Sequence, residues 1–228
     1  AGGASIWWGS SRTEPLTAAE LAALDPGRLP AWDRVATRLW SPRAARWSDV
    51  LGYGLTVAPL LLLVESGDEV SAGELLAMYA ETVALDRALV GSLKLGVGRV
   101  RPLAYNPDPR IPWSRKTSGF ARRSFPSGHT SGAFAGAVFA GQVYARLYPD
   151  RAARHWVRGG ALGLAAVTGY LRVRAGHHFP SDAVVGALMG GLVGWAVPEL
   201  HEREVDPVVP DVPGRGVGGP TLAFCWGF

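Results

Sequence analysis

The sequence predicts an all-α protein, a single helical bundle of about six core helices. Three observations carry that expectation. Helix-start signals recur ahead of apolar stretches, at Thr17-Ala-Ala-Glu20, Ser41-Pro42 and Ser71-Ala-Gly-Glu74. Behind the last of them, apolar residues return at helical spacing, as Leu75, Leu76, Tyr79, Val83, Leu89, Val90 and Leu93. Glycine is abundant, 30 of 228 residues, as expected where helices approach one another through small residues.

Taken in order, residues 1–47 read as a Trp-rich N-terminal arm packed on the core, with Trp7, Trp8, Trp32, Trp40 and Trp47. Those indoles suit either packing against the core or an interfacial belt. The arm holds one short helix from Thr17, ending before Pro26-Gly27. Residues 48–200 read as the helical core. A helix from Ser41-Pro42 runs toward Leu63 with a kink at Pro59, and a second runs from Ser71 to about Gly98 and Pro102. If that helix holds both, Lys94 and Arg101, seven residues apart, project from one face, which is either half of a site or a solvated surface. Leu103 to Ser124 shows no apolar period and reads as a long loop. A small-residue helix follows His129, another runs from about His155 to Arg172 after the break at Tyr148-Pro149-Asp150, and the last core helix runs from Asp182 to Val197. Residues 201–228 read as a Pro/Gly-rich tail.

Composition narrows the function. The formal charge of +4 is mildly basic, and no Lys/Arg run with interleaved aromatics is present, so an anionic substrate or membrane surface fits and nucleic acid does not. The single cysteine, Cys225, excludes an intrachain disulfide and a thiolate metal cluster. The most apolar stretches, Val50 to Val64 and Ala183 to Val197, run roughly 15 residues against the about 20 of a membrane span, so core helices and spans both remain open. The chain opens on Ala1 rather than Met, which fits either a processed precursor or a trimmed chain.

Three short segments carry chemistry. Arg172-Val-Arg-Ala-Gly-His-His-Phe-Pro-Ser-Asp182 sets His178 four residues before a carboxylate and near an arginine. That supplies an oriented nucleophile and a cation for phosphate oxygens. Pro126-Ser127-Gly128-His129 opens a helix, where a hydroxyl, free N–H groups and the positive end of the helix dipole form an anion cradle with His129 in the same turn. Lys94 and Arg101-Pro102 add two cations.

In this order the segments read K-x6-R-P, P-S-G-H and R-x5-H-x3-D, and the chain resembles the type 2 phosphatidic acid phosphatase superfamily, which groups lipid phosphatases, bacterial acid phosphatases and vanadium haloperoxidases. The likeness covers Lys94 to Asp182 and extends to about Val197. One position departs, since Leu171 stands where the family has serine before Arg172. The resemblance implies an all-α bundle with the motifs meeting at one end, and a metal-independent phosphatase without a cofactor, for which vanadate acts as inhibitor or phosphate mimic. It implies phosphate monoester or diphosphate substrates, lipid-linked ones foremost, in the cell envelope, either in or at a membrane or periplasmic; the alternatives are a broad-specificity exported acid phosphatase and a vanadium-dependent haloperoxidase. Residue by residue it makes His178 the nucleophile, Asp182 the acceptor from its second ring nitrogen, and His129 the acid for the leaving oxygen and base for water. Lys94, Arg101, Ser127, Gly128 and Arg172 would bind the phosphate. His177 adjoins His178 and is its rival for the nucleophile, but it lacks the family spacing to Arg172 and Asp182 and is otherwise assigned to packing or to supporting a residue of the site. Arg99 and Arg174 are expected as rim charges, His155 and His201 as exposed.

Overall fold

Nine α-helices and four short 3₁₀ turns make up residues 14–62 and 72–203, the part of the chain that this computed structural model describes, and no strand occurs among them. Helix α1 (Ala18–Ala22) opens on its predicted capping box, with Thr17 Oγ1 accepting from the Glu20 N–H and the Glu20 carboxylate accepting from the Thr17 N–H. A short α2 (Ala31–Arg34) precedes α3 (Pro42–Val57), where Ser41 Oγ accepts from the Ala44 N–H and Pro42 takes the first helical position. At Pro59 the chain tightens into a 3₁₀ turn, Ala58–Leu61, in place of the expected kink. Helix α4 (Ala72–Val97) follows; the Ser71 cap lies outside the described residues. After the short α5 (Pro102–Tyr105) and α6 (Trp113–Thr117) come three long helices, α7 (Gly128–Leu147), α8 (Ala153–Arg174) and α9 (Pro180–Arg203).

Helix α7 is the centre of the bundle, touching α3, α4, α8 and α9. Its neighbours come close because the facing residues are small. Gly186, Gly190 and Gly194 recur every four residues along one face of α9 and rest on the α7 backbone. A Cβ at Gly186 would stand 2.6 Å from the Ser127 carbonyl oxygen, and at Gly190 and Gly194 it would overlap the carbonyls of Ser131 and Ala135. The main apolar cluster, with Leu75, Tyr79, Phe139, Val143 and Val193, gathers the start of α4, the later part of α7 and the second half of α9. That is one end of the bundle. The C-terminus of α4, the N-terminus of α7, the C-terminus of α8 and the N-terminus of α9 meet at the other, and the three sequence motifs lie at these ends, the third running from α8 into α9.

Four expectations change. Helix α4 stops at Val97, because Gly98 adopts φ +61° and turns the chain, so Lys94 and Arg101 do not share a helix. Pro102 starts α5 instead of ending α4. The segment 103–124 is folded, with α5, α6 and a 3₁₀ turn at Gly119–Arg122, and its Ala104 and Ala121 are buried against Leu16 and Val100. Pro198 does not end the last helix, which continues to Arg203. Of the tryptophans, Trp7 and Trp8 lie outside the described residues, Trp32 and Trp47 are exposed, and Trp40 packs near His177. Residues 14–40 are held by other means, with Glu20 paired to Arg122 at 2.6 Å and Leu16 donating its N–H to the Thr117 carbonyl. Residues 204–228, most of the expected tail, lie outside the described residues.

Candidate active site

Three chain breaks build the site. The Gly98 turn carries the backbone from α4 to Arg101, whose N–H donates to the Ala121 carbonyl and whose side chain runs inward, 4 % exposed. Arg101 Nε donates to the Phe120 carbonyl, Nη2 to the Arg123 carbonyl and Nη1 to the His177 carbonyl, while the guanidinium lies 3.6 Å over the Phe120 ring. Lys94 Nζ reaches the same Arg123 carbonyl at 3.0 Å and the Pro126 carbonyl at 2.6 Å. The two cations therefore converge despite the broken helix, because both are fastened to the segment leading into α7.

Ser127 caps α7. Its Oγ lies 2.8 Å from Thr130 Oγ1 and its own N–H donates to the Asp182 carbonyl, tying the starts of α7 and α9. Gly128 is buried against Val90 and the Lys94 stem. His129 stands in the first turn, with Nε2 3.1 Å from Asp49 Oδ1 and its ring edge-on to Tyr53. Arg172, in the last turn of α8 and 3 % exposed, donates from Nη1 to Asp49 Oδ1 at 2.7 Å and to Ser48 Oγ at 3.2 Å. Its Nε has no hydrogen-bond partner among the described residues, a donor left for a ligand.

Gly176, at φ +71° and against the Leu39 carbonyl, turns the chain from α8 into His177 and His178. His178 is 1 % exposed. Its Nδ1 lies 2.6 Å from the Ser124 carbonyl and 3.8 Å from Asp182 Oδ2, so the proton on Nδ1 goes to Ser124 and not to Asp182. That corrects the expected direct pair. Asp182 acts one step back, its Oδ2 accepting from Ser124 Oγ at 2.6 Å and from the Phe179 N–H at 2.8 Å. A donor at Nδ1 leaves the lone pair on Nε2, which faces Arg101 Nη1 at 3.3 Å. Burial, then Arg101, Lys94 and Arg172, pushes the His178 pKa well below its ordinary value, so the ring is neutral at pH 7. His129 is lowered to about 3 by burial and then by Arg172, Arg87, Arg101 and Lys94, and Lys94 to about 7 by burial and then by Arg101. Asp182 and Asp49 offset these cations only in part.

All eight motif residues thus come to one end of the bundle. His177 is buried between Trp40 and Phe120 with both ring nitrogens unpartnered among the described residues, in keeping with packing. His155 and Arg174 are exposed, and His201 is half-buried beside Glu81. Arg99 is not a rim charge. It joins Asp182 Oδ1 at 2.6 Å to Asp33 Oδ2 at 2.7 Å, and Asp33 accepts from both the N–H and the hydroxyl of Ser181. Asp33, Asp49 and Arg87 went unread in the sequence since they fall outside the motifs, although Ser48 and Asp49 stand on a helix whose other residues are largely apolar.

A neutral, oriented imidazole buried among fixed cations at one end of a helical bundle defines a protein that holds an oxyanion against a histidine. The chain belongs to the PAP2 superfamily, whose family model matches residues 75–206. It is 32 % identical over 128 residues to a lipid A 1-phosphatase of Porphyromonas gingivalis, covering 56 % of this chain and 24 % of that protein. It is 30 % identical over 128 residues to a lipid A 4'-phosphatase of Bacteroides thetaiotaomicron, covering 54 % and 52 %. The chain therefore spans about half, or less, of the length of these curated relatives. A crystal structure of a transmembrane PAP2-type phosphatidylglycerolphosphate phosphatase from Bacillus subtilis is similar with a TM-score of 0.53 and 25 % identity, over 76 % of this chain and 84 % of that one.

Proposed function

We propose that the chain is a metal-independent phosphatase that hydrolyses phosphate monoesters or diphosphates, lipid-linked ones foremost, through a phosphohistidine on His178. The observation that carries this is the His178 ring, whose Nδ1 is held on the Ser124 carbonyl and whose Nε2 lone pair stands among Arg101, Lys94 and Arg172. In the first step Nε2 attacks phosphorus, the P–O ester bond breaks, and the leaving oxygen takes the electron pair and a proton from His129. In the second, water gives a proton to His129 and attacks phosphorus, and the P–N bond pair returns to Nε2. Throughout, Arg101, Lys94, Arg172 and the Ser127–Gly128 helix start hold the three equatorial oxygens. The proton on His178 Nδ1 stays on the Ser124 carbonyl, and Asp182 holds Ser124.

Lipid is favoured by the outer surface. Val184, Leu188, Leu192 and Trp195 form an exposed stripe on α9 opposite its glycines, and Leu85, Leu89 and Leu93 are exposed on α4. Among the described residues one helix, Pro180–His201, is long and apolar enough to cross a membrane. We place the chain at a membrane of the cell envelope, with the motif end toward water. The relatives' names put a lipid A phosphate first in the panel that tests this, beside a phosphatidate, a polyprenyl diphosphate and a soluble aryl phosphate. Phosphate release from a lipid substrate, undiminished by EDTA and blocked by orthovanadate, is the expected result. His178→Ala is expected to keep the thermal transition and lose turnover; normal release by that variant overturns the nucleophile assignment, and loss on chelation overturns the metal-free one.

A further inference from the structure

Asp49 lies outside the three motifs, on α3, yet touches two of their residues. The same oxygen, Oδ1, stands 2.7 Å from Arg172 Nη1 and 3.1 Å from His129 Nε2. That ring nitrogen is buried and makes no hydrogen bond among the described residues, so the carboxylate stands beside it as an ion-pair neighbour short of hydrogen-bond geometry. The approach is built into α3, where Gly52 gives His129 room. A Cβ there would stand 3.1 Å from His129 Cδ2, and Tyr53 from the next position covers the ring edge-on. We infer that Asp49 is the positioning residue of the general acid, holding the Nε2 proton of His129 so that Nδ1 faces the leaving oxygen.

The inference rests on the phosphatase reading and adds a proton path to it. A neutral imidazole carries one proton, and a carboxylate beside Nε2 keeps that proton there. The second proton then resides on Nδ1, from which it passes to the leaving oxygen as the P–O bond breaks. Afterwards the Nδ1 lone pair is already aimed at the attacking water, whose proton it takes. Without substrate the charges facing His129 are Arg172 from α8, Arg87 and Lys94 from α4, Arg101 before α5, and Asp49 with Tyr53 from α3. The cations outnumber the carboxylate and resist protonation of the ring. A bound phosphate dianion offsets Arg172, Arg101 and Lys94, and Asp49 then favours the imidazolium that the leaving oxygen needs. The same carboxylate also fixes Arg172 by Nη1, leaving its Nε for phosphate.

Leaving-group dependence separates this role from a merely structural one. An alkoxide needs a proton as it departs, whereas a nitrophenolate leaves without one. General-acid assistance is worth about 10²–10⁴-fold, so Asp49→Asn is expected to lower kcat on an alkyl phosphate by about tenfold or more and on p-nitrophenyl phosphate by less than about threefold. Asp49→Glu should recover part of the alkyl activity. Ser48→Ala, which removes the other Nη1 partner of Arg172, should affect both esters alike. Equal losses on the two esters in Asp49→Asn, or no loss on either, overturn the inference. A second measurement needs no turnover: imidazole nitrogen NMR shifts of the free protein at neutral pH are expected to show His129 as the Nε2–H tautomer in the wild type and to lose that preference in Asp49→Asn. An unchanged tautomer overturns the inference even if phosphate is released; no phosphate release by the wild type from any ester, with the tautomer change present, overturns the phosphatase reading and leaves the Asp49 contact standing.

Discussion

Arg99 stands between two carboxylates that water barely reaches, Asp33 at 1 % and Asp182 at 0 % exposure. Removing one member of such a set leaves uncompensated charge inside the protein, at a cost of about 3–5 kcal/mol. Arg99→Met is therefore expected to lower the unfolding free energy by that amount, read from denaturant melts, and to lower activity with it, since Asp182 holds Ser124 and Ser124 holds His178. Ser124→Ala separates the two effects. It keeps the backbone carbonyl that accepts from Nδ1 and removes only the hydroxyl on Asp182, so it should cost about 1–3 kcal/mol of stability and less activity than His178→Ala. Loss as complete as in His178→Ala would show that the Asp182 link, and not the carbonyl, orients the ring.

Between helices, distance of approach matters more than apolar area. Gly190 lies so close to the Ser131 carbonyl that any side chain must push α9 off α7, and those two helices carry Asp182 and the Ser127–His129 turn. Gly190→Ala is expected to destabilise by about 1–3 kcal/mol, as overpacking does, and to impair turnover by separating the motif ends. Gly191→Ala is the control. The nearest atom to its Cβ is Val138 Cγ2 at 4.0 Å, so the added helix propensity should leave stability unchanged or raise it by up to about 1 kcal/mol. Thermal melts of the two variants check the pair, and equal effects would rule out the close-approach account.

For the molecule as a whole, the buried cations and imidazoles at the motif end set the response to pH and to anions. His129 is held near 3 against an ordinary 6.5, and His177 and His178 are lowered as well, so below pH 6.5 the unfolded chain binds protons that the folded one refuses. The histidine contribution is fully present above about pH 6.5 and is lost as pH drops toward 3. Lys94, near 7 against 10.5, adds a loss of the same sign between about pH 10 and 7. Melting temperatures across pH 5 to 9 should therefore rise with pH. Inorganic phosphate or vanadate binding only the folded state should stabilise it, by about 2.7 kcal/mol at a hundredfold excess over Kd, and most strongly at the low end of that range, where the uncompensated charge is greatest. A melting temperature indifferent to both anions would contradict the anion site.

The sequence by itself determined the helical class, the starts of α1, α3, α7 and α9, and the eight motif residues, because capping, periodicity and motif spacing are local and each is written within a few neighbouring positions. It could not place Lys94 relative to Arg101, since the Gly98 turn and the shared Arg123 carbonyl join them through space. Nor could it find Asp33, Arg99 and Asp49 among the charges of an ordinary surface. Only the tertiary structure decided that Arg99 faces inward between two carboxylates, that His178 donates to the Ser124 carbonyl rather than to Asp182, and that Asp49 meets both Arg172 and His129. The reason is physical: a buried charge or imidazole takes its partner from whichever segment packing brings within about 3 Å, and that choice depends on how closely α9 and α3 can approach α7.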